Sequence, residues 1–266
     1  MMNRRLAAFA ISFMVLLGSS ACGRNKKTKV TSLSEAAEEM DSEICKDMDS
    51  FYQQLYVVEA KAMMGKSSGT FGICCTMDKA AVDKFSEENM HYFESEGIDP
   101  DEMESITLYY SVRRDKDGKT QTLQASEYVF SDEDAAKEYF SGVKTSAEMM
   151  EDYLQKAREA GRKAYSEENP DHVEDRSEEP DETDSEITTN KTKPKTGKDG
   201  LSYRVVSMSR SDAPSKVYLE EGVYQKGASL IKLTQDLDWQ GKKAPKDKQI
   251  NELCDLLDFP RPEDEE

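Results

Sequence analysis

Histidine is almost absent from this chain. Its 266 residues include only His91 and His172, so a histidine-based nucleophilic triad or a multi-histidine metal site lacks its material. Positive charge is also short: 36 Lys and Arg stand against 54 Asp and Glu, a net charge of −18. That balance argues against a nucleic-acid partner, whose phosphates must be neutralised by cations. Apolar residues make up only 36 % of the chain and charged ones 34 %, so part of it is expected to lie outside any core. Phosphate and calcium loops fail as well. Gly65-Lys66-Ser67 ends like a phosphate loop, yet the glycine required five residues earlier is Ala60, and a helical pattern precedes it where the motif needs a strand. Asp115, Asp117 and Gly118 begin like a calcium loop but lack the later ligands, so a hairpin turn explains them better. The sequence therefore assigns no catalytic, cofactor-binding or metal-binding residue.

Long hydrophobic runs are missing too. The most apolar segment, Leu6 to Leu17 (LAAFAISFMVLL), has twelve residues; as a helix it spans ~18 Å, too short for the ~30 Å hydrocarbon core. Arg4 and Arg5 precede it, and Gly18-Ser19-Ser20-Ala21 leads from it into Cys22. Basic, apolar and small-residue zones in that order make a secretory leader. Ser19-Ser20-Ala21-Cys22 resembles the lipobox of bacterial lipoproteins, departing from the commonest pattern at Ser19, where leucine is usual. The resemblance covers residues 1–22 only. It implies that the Cys22 thiol is acylated, that residues 1–21 are removed, and that the new amino group is often acylated too. Two or more acyl chains give stable anchoring where one is marginal. The implied location is the outer face of a membrane, with membrane lipid as a partner through Cys22. Residues 22–32, with Arg24, Lys26, Lys27 and Lys29, read as a lipidated tether.

Cys22 to Glu266 is 245 residues, enough for one large domain or two small ones. Charge is unevenly spread along it. Between Glu167 and Glu186 eleven of twenty residues are acidic, and Thr188 to Gly200 then switches to lysine, proline and glycine. With so little to bury, residues 166–200 are expected to be a disordered acidic and basic insert. It divides a first part, residues 33–165, from a second, residues 201–266, which are expected to pack together as one domain.

Met40, Ile44, Met48, Phe51, Leu55, Val58 and Ala62 recur at helical spacing and predict one long helix over 33–64. Phe71 to Thr76 is a short apolar stretch, and a second helix is predicted from Asp78 to about Glu94, stopped by Gly97. Ile106–Val112 and Thr120–Phe130 predict a hairpin. Ser131 opens a capping pattern for a helix reaching towards Ala164. Leu201–Ser209, Lys216–Gln225 and Ser229–Gln235 predict three further strands, and Lys248–Asp258 a final helix. The order favours an α+β fold, a mostly antiparallel sheet of about five strands packed with amphipathic helices. Each part is a strand meander followed by a helix, so two pseudo-repeats sharing a sheet are conceivable. The body resembles small envelope lipoprotein and sensor domains in element order alone.

Four cysteines remain after Cys22: Cys45, Cys74, Cys75 and Cys254. Outside the cytoplasm they are disulfide candidates. Adjacent Cα atoms lie ~3.8 Å apart, below the usual disulfide span of ~4.4–6.8 Å. Cys74 and Cys75 are thus expected to pair outward, with Cys45 and Cys254 as partners in either assignment. Tyr109, Tyr110, Tyr128, Tyr203, Tyr218, Tyr224 and Trp239 lie on predicted strands or just after the last. Alternation gives them an exposed binding face or a core position with equal weight. The expected function is a non-enzymatic binding or sensing module on an envelope surface, with a protein or glycan partner. Its alternatives are a carboxylate-based enzyme on envelope polymers and an accessory subunit of a transport or secretion complex.

Overall fold

The structure, a computed structural model, describes residues 29–64, 68–145, 148–149, 152, 156, 159–160, 186–212, 215–239 and 248–265. Its centre is one sheet. The strands are β1 (Glu43–Cys45), β2 (Gly69–Asp78), β3 (Met103–Arg114), β4 (Thr120–Phe130), β5 (Glu186–Lys191), β6 (Lys195–Thr196), β7 (Ser202–Asp212), β8 (Ser215–Lys226) and β9 (Ser229–Trp239). They lie in the order β1-β2-β3-β4-β9-β8-β7-β5, with β6 also on β7. Every pairing is antiparallel except β1 with β2. The fold is α+β as expected, with nine strands among the described residues where about five were predicted.

Both faces of the sheet are apolar, and this decides the layering. Along β3, Ile106 and Val112 point to one side and Tyr109 to the other, and all three are buried. The first face is covered by α2 (Met48–Met64), α3 (Lys79–Glu96) and α4 (Glu133–Gly142), packing Phe51, Val58, Val82, Phe93 and Ala136 on Ile73, Ile106 and Tyr128. The second is covered by α1 (Leu33–Glu39) and α5 (Gln249–Leu257), whose Ala36, Ile250, Leu253 and Leu257 meet Tyr109, Leu123, Tyr224 and Leu233. Two such layers remove far more apolar surface from water than a one-sided sheet of this size.

The single helix predicted over 33–64 is broken into α1, β1 and α2. Ser32 caps α1, and Asp41 after it turns at φ 55°. Asp47 starts α2 by accepting the Ser50 amide at 2.8 Å. The periodic residues fit a helix, but the Asp47 cap and the open edge of β2 favour a three-residue strand between. Phe71–Thr76 lies within the ten-residue strand β2.

Residues 186–200, expected within a disordered insert, contain β5 and β6. Ile187-Thr188-Thr189 is β-branched, a strand preference that composition alone hides. Backbone bonds to the free edge of β7 hold the segment, as does the Thr192 hydroxyl, which accepts the Val205 amide at 3.0 Å. Residues 161–185, and with them all of the acidic run but Glu186 and also His172, lie outside the described residues. So do Cys22, Gly65-Lys66-Ser67 and most of the continuation from α4 towards Ala164.

The two expected halves share the sheet edge to edge. Meander β2-β3-β4 meets meander β9-β8-β7 through the antiparallel β4–β9 pair. The helices that follow break the correspondence, since α4 packs in the first layer and α5 in the second.

Candidate functional site

Among the described residues, the strand tyrosines do not form an exposed binding face. Tyr109, Tyr128, Tyr203 and Tyr224 are all buried, because helices cover both faces of the sheet. Tyr110 is half-buried and donates to Glu59 at 3.0 Å. Tyr218 and Trp239 have side chains outside the described set. His91 is exposed on α3, beside Glu94. Asp115 closes the β3–β4 hairpin, accepting the amides of Asp117 at 2.9 Å and Lys119 at 2.8 Å, with Gly118 at φ 85°. A hairpin turn is what the sequence predicted there.

The four cysteines are thiols in this structure, and all are buried. They fall into different layers. Cys45 and Cys75 lie in the first core, and Cys74 and Cys254 in the second. Cys45 is in strand β1, not on a helix as predicted, and stands in register with Cys75. Cys254 on α5 lies by the Tyr224 hydroxyl at 3.6 Å. Burial pushes the Cys75 thiol up to about 11 and those of Cys74 and Cys254 up to about 12, so none has the lowered pKa of a reactive thiol.

A cavity of about 510 Å³ opens in the first layer. Its walls are the C-terminal turn of α3, the Gly97–Asp99 link, the inner side of α4 and Lys232 of β9. Gly97 at φ 71° ends α3 there, and Asp132 caps α4 by accepting the Ala135 amide at 2.9 Å. Phe130, Ala135, Val143 and Met149 supply its apolar lining. Around them stand Glu94, Glu96, Asp99, Glu102 and Glu138, against two cations, Lys144 and Lys232. Lys232 is committed to Glu96 at 2.6 Å and Lys144 to Asp152. Among the described residues the lining is acidic on balance.

Behind this lining lies an aromatic set that no sequence motif announced. Tyr139 of α4 packs edge-on against Tyr128 with ring centres 5.8 Å apart, and against Phe130 at 5.5 Å. Tyr128 and Tyr92 share a hydrogen bond of 3.1 Å between their hydroxyls. The Tyr139 hydroxyl is different. It is buried at the cavity wall, with the residue 7 % exposed, and has no hydrogen-bond partner among the described residues. Burial and the nearby Glu96 raise its pKa, so it stays a neutral phenol. A buried hydroxyl left unmatched costs about 1–3 kcal/mol, which a bound polar group would recover.

The carboxylate-enzyme alternative called for a pair of acids, one with a raised pKa. Asp236 is raised by burial and by the neighbouring Glu221, but neither lines the cavity. Glu127 is also raised by burial, and both its oxygens are engaged, one by the Leu33 amide of α1 and the other by the Ser229 hydroxyl of β9. Among the described residues, no three His, Cys, Asp or Glu side chains gather as a metal-binding group. No helix among them is long and apolar enough to cross a membrane.

No protein-family model matches the chain, and comparison with curated proteins gives no match. Among solved structures, the chain is similar to the extracellular domain of PknH from Mycobacterium tuberculosis. The identity is 8 % over 75 % of this chain and 88 % of that one, with a TM-score of 0.33. A likeness at that score carries no argument about function.

Proposed function

We propose that this protein is a lipid-anchored, extracytoplasmic binding module, and that the α3–α4 cavity holds a small organic cation. Anchoring rests on the leader and Cys22 described above. The binding reading is carried by one observation: a partly apolar cavity, acidic among the described residues, with the Tyr139 hydroxyl in its wall finding no partner among them. An amine with a short apolar body matches each element. Its charge meets the carboxylates, its carbon chain meets Phe130 and Val143, and Tyr139 accepts from or donates to its polar end. The sheet and the two capped helix ends preform the space, so little ordering is needed on binding.

Spermidine is a suitable probe. Calorimetry on the purified chain should show binding that weakens as salt is raised, because the attraction is partly electrostatic. Tyr139→Phe should weaken it about tenfold, the loss of one hydrogen bond. Absence of any spermidine binding at millimolar concentration would discard the cationic-ligand reading. Anchoring has a separate test. Labelling with a palmitate analogue should mark the wild type and leave Cys22→Ser unlabelled.

The accessory-subunit reading is favoured by a different feature. The outer side of α2 exposes Tyr56, Met63 and Met64 at 73 %, 74 % and 78 %, and large apolar groups gathered on one helix mark contact surfaces. Co-purification in mild detergent that is lost in Tyr56→Ala/Met63→Ala would support it.

A further inference from the structure

We infer that Cys45 and Cys75 form a disulfide that fastens the edge strand β1 to the sheet, and that Cys74 and Cys254 stay reduced. The register places Cys45 directly opposite Cys75 in the parallel β1–β2 pair. Neighbouring strands run ~4.8 Å apart, within the ~4.4–6.8 Å between Cα atoms that a disulfide accepts. Side-chain direction agrees, since both thiols enter the first core beside Met48, Phe51 and Ile73.

The other pairings fail on the same geometry. Cys74 is adjacent to Cys75, but alternation sends its side chain into the opposite layer, away from Cys45. Cys254 is on α5, which packs on β4 and β9 in the second layer, so the sheet separates it from Cys45 and Cys75, and β3 separates its seat from β2 and Cys74. Two strand spacings at ~4.8 Å are about 10 Å, beyond the ~6.8 Å a disulfide allows. The two staples expected from the sequence, one to Cys45 and one to Cys254, thus reduce to one, and that one is local.

Strand β1 has three residues and a single neighbour, β2. It joins α1 on one face to α2 on the other, so the bond would fix the crossing between layers. Burial raises both thiols above their ordinary value, so exchange should happen before this edge closes. The oxidant is a disulfide of the thiol-exchange class, such as oxidised glutathione. One thiolate attacks it, forming a mixed disulfide and releasing the first glutathione thiolate. The second cysteine thiolate then displaces the remaining glutathione. The two cysteine protons end on the two glutathione thiols.

The test is refolding of the full chain in detergent with a reduced and oxidised glutathione buffer, which does not depend on where the protein resides in the cell. Thiols are then alkylated after unfolding without reductant, and the mass is measured. With Cys22 replaced by serine, two alkylated thiols are expected, plus one disulfide. Cys74→Ser and Cys254→Ser should each keep the bond, and Cys75→Ser should lose it. If Cys75→Ser fails to fold, the double variant Cys74→Ser/Cys254→Ser still decides, since only a Cys45–Cys75 bond is left to it. Four free thiols, or loss of the bond in either Cys74→Ser or Cys254→Ser, would overturn the assignment.

Discussion

Glu127 shows how one buried charge ties the layers together. It lies on β4, 5 % exposed, and accepts the Leu33 amide at 2.8 Å and the Ser229 hydroxyl at 2.9 Å. The Leu33 N–H is one of the orphan donors at the start of α1, where a carboxylate is also favoured by the helix dipole. Burial nevertheless raises its pKa above the ordinary 4.5. The native state therefore holds this proton more tightly than the unfolded chain. By linkage, the contribution of Glu127 to stability falls as pH rises from about 4.5 through its raised native value. Glu127→Gln keeps an acceptor for Leu33 and can donate to Ser229, so it should flatten that slope in urea titrations at several pH values while costing less than about 1 kcal/mol. Glu127→Ala strands the Leu33 amide and should cost about 1–3 kcal/mol. Gly222 is a second residue-scale test. A Cβ there would clash with the ring of Tyr224, which stacks on Phe259 at 4.4 Å. Gly222→Ala should lower the urea midpoint by the equivalent of about 1–3 kcal/mol, an overpacking cost.

At the scale of elements, the seat of α5 is the most polar piece of the core. Lys248 precedes the helix and pairs with Glu220 of β8, with Glu263 at 3.2 Å on its other side. Gln249 accepts from Ser111 at 2.9 Å, and the Ile250 amide donates to Gln235 at 2.7 Å. These bonds fix where α5 lands on β3, β8 and β9, while Leu253 and Leu257 supply the apolar contact. Removing one member of a buried ion pair strands the other charge. Lys248→Met should therefore cost about 3–5 kcal/mol, and Lys248→Met/Glu220→Met should recover most of that loss, measured by urea unfolding. The sequence located α5 through Ile250, Leu253, Cys254 and Leu257 spaced on one face. Nothing in it marked Gln235 or Gln249 as its anchors, because the partners of a buried polar group come from distant strands. The break between α1 and α2 was missed for a related reason. Its signal, the Asp47 cap, is local, but the competitor that won was the open edge of β2.

For the whole molecule, the β4–β9 pair makes one sheet of two meanders. Both cores are built on it, each drawing strands from both meanders. Unfolding by urea is accordingly expected as one transition, seen together by fluorescence and circular dichroism. The inferred Cys45–Cys75 bond closes a loop of about thirty residues around α2. Its reduction should lower stability by about 3–4 kcal/mol in the chain-entropy model, read as a shift of the urea midpoint. Absence of any shift on reducing a proven bond would mean that the edge strand is held by packing alone.

The sequence by itself determined most of the strands and the final helix, and it alone carries the proposal of a leader ending at Cys22. Each is written in local order: zone composition, alternation or helical spacing along a few consecutive residues. The tertiary structure alone decided that residues 186–191 join the sheet, that Tyr109, Tyr128, Tyr203 and Tyr224 serve as core, and that Cys45 faces Cys75 while Cys254 lies in the other layer. It also assembled the acidic cavity from α3, α4 and β9, segments spread over more than a hundred residues of sequence. Such relations depend on strand order and on which face each helix covers, and no short window of sequence encodes either.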